Sequence, residues 1–248
     1  MKRLVLLLTF LCPMGFIALN AQSSSIFIGA TGGANLSKFK FTEDLKELYP
    51  ASNSLLGLNG GVTIGFEVQN FTLHTGLQYI QKGSEYQTDN FEDEQGTGFY
   101  SATEKLHYLS IPLLIGYRKY LGDRAGVSIA AGPSFNFGLT GKIDDRIEYF
   151  GSDEVDVQNY KVLFGSGLNE DYRGVQMGFQ VSPGLFFVVN DHSKVTFNVT
   201  WDSGTADAFN PRYKDANDFF DTYKGDQRNH STIFTIGYEY HFTFNDRY

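Results

Sequence analysis

The chain has 248 residues, of which 16% are aromatic, with 27 glycines, 6 prolines and a net charge of −8 at pH 7. Many glycines beside many phenylalanines and tyrosines are typical of all-β proteins, because strands favour aromatic side chains and glycine serves turns and bulges. A pI near 5.1 and the lack of a basic patch in the sequence exclude nucleic acid as a partner.

The first residues predict a secretory signal peptide over 1–21. A basic start is followed by the apolar stretch 4–19 and by Ala21, after which we predict cleavage. The alternatives are an uncleaved membrane anchor and a lipoprotein modified at Cys12, which the bulky Leu11 before it disfavours. Cys12 is the only cysteine and leaves with the signal peptide, so the mature chain is predicted to lack disulfides.

From residue 26 onward, apolar residues alternate with polar or small ones, which is the pattern of strands with one apolar face. No later segment reaches eighteen consecutive apolar residues, which excludes a helical membrane protein. We predict eight strands, near 26–36, 58–69, 71–83, 104–120, 125–140, 174–190, 193–203 and 231–244.

Short and long connections alternate strictly along these strands. Short turns are expected at Asn70, 121–124 and 191–192. Segments of about 20 to 33 residues make the other connections, at 37–57, 84–103, 141–173 and 204–230. This alternation is typical of an outer-membrane barrel with short periplasmic turns and long external loops.

We therefore predict an all-β fold, an eight-stranded antiparallel, up-and-down transmembrane β-barrel over 22–248 in the cell outer membrane. The four long loops carry 21 acidic and 11 basic residues, whereas the rest of the mature chain carries 7 of each. A soluble exported barrel of the lipocalin kind is the rival architecture. The second face of the strands is rich in Gly, Ser and Thr with few charges, which favours lipid.

Four stretches resemble a known family: SIFIGATGGANLS at 25–37, LHTGLQYIQKG at 73–83, HYLSIPLLIGYR at 107–118 and AAGPSFNFG at 130–138. They are similar to the porin-family, PorT-like outer-membrane β-barrel domain of Gram-negative bacteria. The Tyr-Leu-x-Ile-Pro element is the most distinctive of them. The resemblance implies a fold and an outer-membrane location, and it implies no substrate.

The stretch 108–122 is the most apolar one after the signal peptide. We expect its alternate apolar residues to face lipid, namely Leu109, Ile111, Leu113, Ile115 and Tyr117. We expect the intervening ones to face the lumen, namely Tyr108, Ser110, Leu114, Gly116 and Arg118. Proline removes a ladder hydrogen bond, so we predict a bulge or a broken ladder at Pro112, Pro133 and Pro183.

Inward-facing charges predict a polar cluster in the lumen, formed by Glu67, Arg118 and Glu239. Glu67 and Arg118 lie at similar distances from short turns, hence at similar depth. Further inward positions are His74, Gln78 and Tyr108. Because side chains just fill an eight-stranded barrel, we expect paired charges that plug the lumen. A narrow channel for small solutes is the alternative.

No catalytic, cofactor or metal site is predicted, and no enzyme activity. The five histidines are scattered, and no pair has the spacing that places two ligands on one strand face. A lipid-modifying barrel enzyme needs His and Ser on one outer face. His230 and Ser231 are neighbours and should point to opposite faces, and His192 and Ser193 lie at a short turn.

Aromatic residues are frequent in the long segments, for example Tyr100, Tyr172 and Phe209. Either the strands continue beyond the bilayer and these residues pack between them, or they form a contact surface for a partner protein or glycan. The predicted role is structural or partner-binding. The expected partners are outer-membrane lipid and lipopolysaccharide and an envelope or secretion-assembly protein, with the chain as a monomer.

Overall fold

A computed structural model describes residues 24–49, 51–93, 96–151, 155–216 and 225–244. The predicted signal peptide and its cleavage site after Ala21 lie outside these residues and stay predictions. Eight strands form the main sheet: β1 Ser24–Phe41, β2 Ala51–Val68, β3 Phe71–Asp93, β4 Gly96–Tyr120, β5 Ala125–Tyr149, β9 Val175–Asn190, β10 Ser193–Gly204 and β11 Gln227–Phe244. The smaller elements are α1 Glu43–Leu48, β6 Val155–Val162, β7 Phe164–Gly165, β8 Tyr172–Arg173 and α2 Pro211–Asp215.

The eight strands close into an antiparallel ring. Each pairs with the ring strands before and after it, and the pairing of β1 with β11 joins the ends. Strand β6 lies outside the ring, added to residues 141–148 of β5. The predicted eight-stranded, up-and-down barrel is therefore confirmed. Neither α1 nor α2, the helices of the described ranges, is long and apolar enough to cross a membrane.

The short turns lie where they were predicted. Strands β2 and β3 are joined by Gln69 and Asn70 alone, and Gln69 has a positive φ of 54°. Positive φ is what a two-residue hairpin needs to match the twist of its strands. Since both the start of β1 and the end of β11 lie at this end, we assign it to the periplasmic side.

The long segments contain more strand than the sequence suggested. Strand β3 runs to Asp93 and β4 begins at Gly96, so most of the expected loop 84–103 is a hairpin. Strands β1, β2, β5 and β11 likewise extend into the segments beyond the bilayer. Tyr86, Tyr100, Tyr172 and Phe209 of these segments pack inside the extended barrel, as the first of the two alternatives predicted, whereas Phe150 and Tyr160 are exposed.

Exposed apolar side chains form a continuous belt around the ring, which we call the apolar band. It comprises the outward-facing residues within 26–36, 56–66, 71–79, 109–117, 127–139, 175–189, 195–201 and 234–242. On β1, β3, β4 and β11 its length fits the roughly 9–11 residues with which a tilted strand crosses a bilayer. In β4, Ile115 is 65% exposed while Tyr108 and Ser110 are 0% exposed, so the predicted facing is confirmed.

Side-chain polarity reverses above the apolar band. Within the band, apolar residues point outward and small or polar residues point inward. Above it, Lys105 and His107 point outward, while Leu106 is fully buried inside. The upper barrel thus has a conventional hydrophobic core, the aromatic cap: Phe39, Phe41, Leu45, Tyr86, Ala102, Leu106, Tyr108, Val162, Tyr172 and Ala208.

The ladder breaks at Pro112 as predicted. Pairing of β4 with β3 stops between Ser110 and Leu113, and pairing with β5 stops between Pro112 and Ile115. The register is unchanged across both gaps, so the ladder is broken without a bulge. The Thr75 hydroxyl donates a hydrogen bond to the Pro112 carbonyl at 2.6 Å, which satisfies an acceptor beside the gap.

The other two strand prolines also break one ladder each. Pro133 lies in the gap between β4 and β5, and Pro183 in a gap between β9 and β10. Both remain within continuous pairing between β5 and β9, where Pro133 lies opposite Phe179 and Pro183 opposite Ile129. A closed barrel therefore accommodates proline where the ladder on one side is interrupted.

Candidate functional site: the barrel lumen

An ion network lies at the periplasmic end of the lumen, where the sequence placed its polar cluster. The Arg118 guanidinium donates to Glu67 at 2.8 Å and to Glu239 at 2.7 Å. The three side chains are 7%, 7% and 10% exposed. Strands β2, β4 and β11 each supply one inward position near their periplasmic ends, which brings the charges to the same depth.

Two further charged side chains join this periplasmic ion network. Lys194 Nζ lies 3.0 Å from both carboxylate oxygens of Glu67. His241 Nε2 lies 3.1 Å from Glu239 Oε2, and the Tyr120 hydroxyl donates to Glu67 at 3.3 Å. The sequence did not single out Lys194 or His241 because charged residues close to strand ends usually face solvent. The only indication in the sequence was that both residues occupy the alternate positions of their strands that face inward.

A second ion pair lies higher in the lumen. Lys82 Nζ is 2.6 Å from Asp202 Oδ2, and the side chains are 4% and 1% exposed. The Ser134 hydroxyl donates to Asp202 at 3.3 Å, and Lys82 Nζ lies 5.6 Å from the centre of the Tyr108 ring. This upper ion pair joins β3 to β10 across the ring. The sequence did not predict it, because Lys82 and Asp202 lie at the upper ends of the predicted strands 71–83 and 193–203, where charged side chains usually face solvent.

Between the two charged layers lies a cavity of about 80 Å³, lined largely by Thr, Ser, Gln and Asn side chains. The predicted lumen residues His74 and Gln78 both line it. His74 Nδ1 and Gln180 Nε2 are buried and lack a hydrogen-bond partner among the described residues. The volume and the unpaired polar atoms suit on the order of five water molecules.

A polar layer separates this cavity from the aromatic cap. The Tyr108 hydroxyl accepts hydrogen bonds from Gln176 at 3.0 Å and from Asn229 at 3.4 Å. Asn229 also donates to the Gln176 side-chain oxygen at 2.7 Å. The Tyr108 ring packs edge-on against Phe164, with centroids 5.4 Å apart. One tyrosine thus ends the polar lumen and begins the cap.

A carboxyl group is buried inside the cap, above the membrane-spanning part of β4. Glu104 lies between Ala102 and Leu106 on the inward face and is 1% exposed. Burial raises the pKa of the Glu104 carboxyl to about 8, against the opposing hydrogen bonds from Tyr172 and Gln227. Glu104 is therefore mostly protonated at neutral pH and can sit in an aromatic core as a neutral acid.

The outer face brings together one Ser and one His. Ser203 Oγ and His230 Nδ1, on neighbouring strands β10 and β11, lie 3.3 Å apart. Ser231 is buried on the opposite face, as its position next to His230 predicted. No carboxylate in the described ranges hydrogen-bonds His230, whose Nε2 has no partner there. Within those ranges no three His, Cys, Asp or Glu side chains converge on a metal position.

A closed antiparallel ring with an apolar outer belt and a polar interior defines an integral outer-membrane β-barrel protein. Its place is the cell outer membrane. Residues 20–209 match the family described as "Outer membrane protein beta-barrel domain", and the chain belongs to this family.

Several solved structures are similar to the chain at low sequence identity. Neisserial surface protein A is 12% identical, with a TM-score of 0.41, over 88% of this chain and 97% of that one. Ail of Yersinia pestis, in complex with the heparin analogue sucrose octasulfate, is 11% identical, with a TM-score of 0.31, over 89% and 98%. OprG of Pseudomonas aeruginosa is 13% identical, with a TM-score of 0.35, over 90% and 96%. Comparison with curated protein sequences gives no significant match.

Proposed function

We propose that the protein is a structural or partner-binding barrel with a closed lumen, which presents its upper segments at the cell surface. The main support for this proposal is that side chains fill the barrel lumen at both ends. The periplasmic ion network occupies the lower end and the aromatic cap occupies the upper end. A solute would have to displace buried, mutually paired charges at one end and a packed core at the other.

The contacts of the charged side chains favour a closed lumen over a gated channel. Glu67 makes contacts with Arg118, Lys194 and Tyr120, so opening the lower end would cost several charge-assisted hydrogen bonds at once. The upper ion pair adds a second buried constriction. Charges that bind one another this closely are poor sites for passing ions, since conduction requires weak binding at each site.

Strand β6 supports a partner-binding role. In the described ranges it pairs only with β5, which leaves its second edge open beyond the bilayer. Three of its six exposed side chains, Val155, Val157 and Tyr160, are apolar or aromatic. An open edge with such side chains can accept an extended segment of a partner as an added strand. The partner class that we propose is an envelope or secretion-assembly protein, bound by a monomeric barrel.

The PorT-like assignment within the porin family belongs to this proposal. The sequence resemblance of the Tyr-Leu-x-Ile-Pro element supports it, and the element's residues have distinct places in the barrel. Tyr108 ends the polar lumen, Leu109 and Ile111 face lipid, and Pro112 breaks the ladder.

Conductance in planar bilayers tests the closed lumen. Heat-modifiable gel migration first shows that the purified, refolded protein is folded. We then expect the bilayer current to show no discrete channel openings. Size-stable openings that change in Glu67→Ala would contradict the closed lumen. They would favour the second candidate, a narrow channel for small solutes, to which the hydrated cavity between the charged layers points.

Mass spectrometry of added lipid tests for an enzyme. The Ser203–His230 contact on the outer face is the observation that favours a lipid-modifying barrel enzyme. The described residues supply no carboxylate to orient the ring, as hydrolases of this type require. We therefore expect the masses of lipid A and phospholipid to be unchanged after incubation. Loss of an acyl chain that Ser203→Ala abolishes would show that the protein is an enzyme.

A further inference from the structure

The register of three strands marks the upper limit of the apolar band. Trp201 of β10 lies opposite Thr232 of β11, which lies opposite Leu36 of β1. Trp201 is exposed, and it is the only tryptophan of the chain. Tryptophan concentrates at the boundary between hydrocarbon and headgroups. This row of residues therefore lies at the outer boundary of the hydrocarbon.

Four basic side chains occupy the next two outward rows of β1 and β11. Lys38 lies directly opposite His230, and Lys40 lies directly opposite Arg228. Neighbouring strands are about 4.8 Å apart, and successive outward residues of a strand are about 6.7 Å apart. The four residues thus form a compact patch, the basic square. The sequence showed no basic patch because about 190 residues of chain separate the two strands.

The basic square has fewer acidic partners than basic groups. Lys38 and Lys40 make no ion pair with any residue in the described part of the chain. Arg228 contacts Asp226 at 3.3 Å, and His230 contacts Ser203. Burial and then the charges of Lys40 and Lys38 lower the pKa of His230. Lys40 and Arg228 lie directly opposite each other, and like charges in such a pair destabilise a sheet, so an anion bound beside them would be stabilising.

The position of the square decides which anion fits. We propose that the basic square binds the phosphate groups of a phosphorylated lipid headgroup with a net negative charge in the outer leaflet. Such phosphates lie immediately above the acyl chains, at the level of the first two rows beyond Trp201. Lysine and arginine supply the charge and the N–H donors that phosphate oxygens accept. The proposal rests on the outer-membrane location and is independent of whether the lumen conducts.

A second basic row lies across the barrel and is a weaker candidate. Lys105, Lys142 and Lys161 lie side by side on β4, β5 and β6. The central lysine is already paired with Asp144 at 2.6 Å. The basic square has no such acid beside its two lysines, so the proposal is confined to it.

Trp201 provides the measurement, because it adjoins the square and is the only tryptophan. The full mature protein in phosphatidylcholine nanodiscs is titrated with bisphosphorylated lipid A, with the same lipid after enzymatic dephosphorylation, and with pyrophosphate. We expect saturable Trp201 fluorescence changes with the bisphosphorylated lipid only. Lys38→Gln with Lys40→Gln should weaken this binding about tenfold or more, and so should Arg228→Gln with His230→Gln on the partner strand.

The control variant carries Lys119→Gln and Arg124→Gln, which remove two exposed positive charges at the periplasmic end. It should bind lipid A like the unchanged protein. Equal binding of the dephosphorylated lipid, or equal weakening in the control variant, would overturn the proposal. An equally strong response to pyrophosphate would assign the square to free anions and would also overturn it. All variants are first checked for heat-modifiable migration. If one of the two variants of the basic square fails to fold, the other one still tests the proposal.

Discussion

Arg118→Met is expected to lower the free energy of unfolding by about 3–5 kcal/mol, because removing one partner of a buried ion pair leaves the other charge uncompensated. Arg118 contacts both Glu67 and Glu239, and both carboxylates are buried. Glu67 retains Lys194 as a partner, whereas Glu239 retains only the imidazole of His241. Equilibrium urea unfolding in lipid vesicles, followed by Trp201 fluorescence, measures the change.

A matched control lies one residue away on the same strand. Lys119 is exposed on the outward face of β4, so Lys119→Met should change the free energy of unfolding by less than about 0.5 kcal/mol. Combining Arg118→Met with Glu239→Gln should recover part of the loss, since the acid with the weaker remaining partner is then neutral. If Arg118→Met costs no more than Lys119→Met, the buried network does not stabilise the barrel.

Glu104→Gln is expected to stabilise the protein at high pH and to leave its stability at low pH unchanged. Burial raises the pKa of Glu104 from 4.5 to about 8. An acid with a raised pKa binds its proton more tightly in the folded state. Its contribution to stability is therefore fully present below pH 4.5, is lost as pH rises to about 8, and is constant above that. The full loss is on the order of 4–5 kcal/mol.

The difference between the two proteins isolates this single group. The free energy of unfolding of Glu104→Gln minus that of the unchanged protein should rise between about pH 4.5 and 8. Glu85, an exposed residue of the neighbouring strand β3, supplies the control, and Glu85→Gln should show no comparable rise. A flat difference for Glu104→Gln would mean that its carboxyl ionises in the folded state as it does in the unfolded one.

The membrane-spanning part of the barrel could be predicted because lipid imposes one rule on every strand. Apolar side chains must point outward, so apolar residues recur at every second position from Leu109 to Tyr117. An up-and-down barrel also alternates short turns with long loops along the chain. The same parity placed Glu67, Arg118 and Glu239 on the inner face. The ladder breaks at the prolines followed from the missing N–H alone.

The upper half of the barrel was read as loops because its polarity is reversed. Tyr86 and Leu106 point inward there, and Lys105 points outward, as in a water-soluble barrel. The rule that apolar side chains point outward therefore fails for the residues above this boundary. The upper ion pair depends on which side chains meet across the ring, and the Ser203–His230 contact depends on the register of β10 against β11. No local pattern in the sequence carries that information.

The reversal of polarity also fixes how thick a bilayer the protein tolerates. A hydrocarbon layer one residue pair thicker, about 5 Å along the normal for a tilted strand, would immerse Lys38, His107 and His230 of the first polar row. Basic side chains in the hydrocarbon cost up to about 2–4 kcal/mol each, depending on depth. A thinner layer would leave part of the apolar band in water. Hydrophobic mismatch therefore opposes displacement in both directions, and the protein should partition into membranes whose hydrocarbon thickness matches the apolar band.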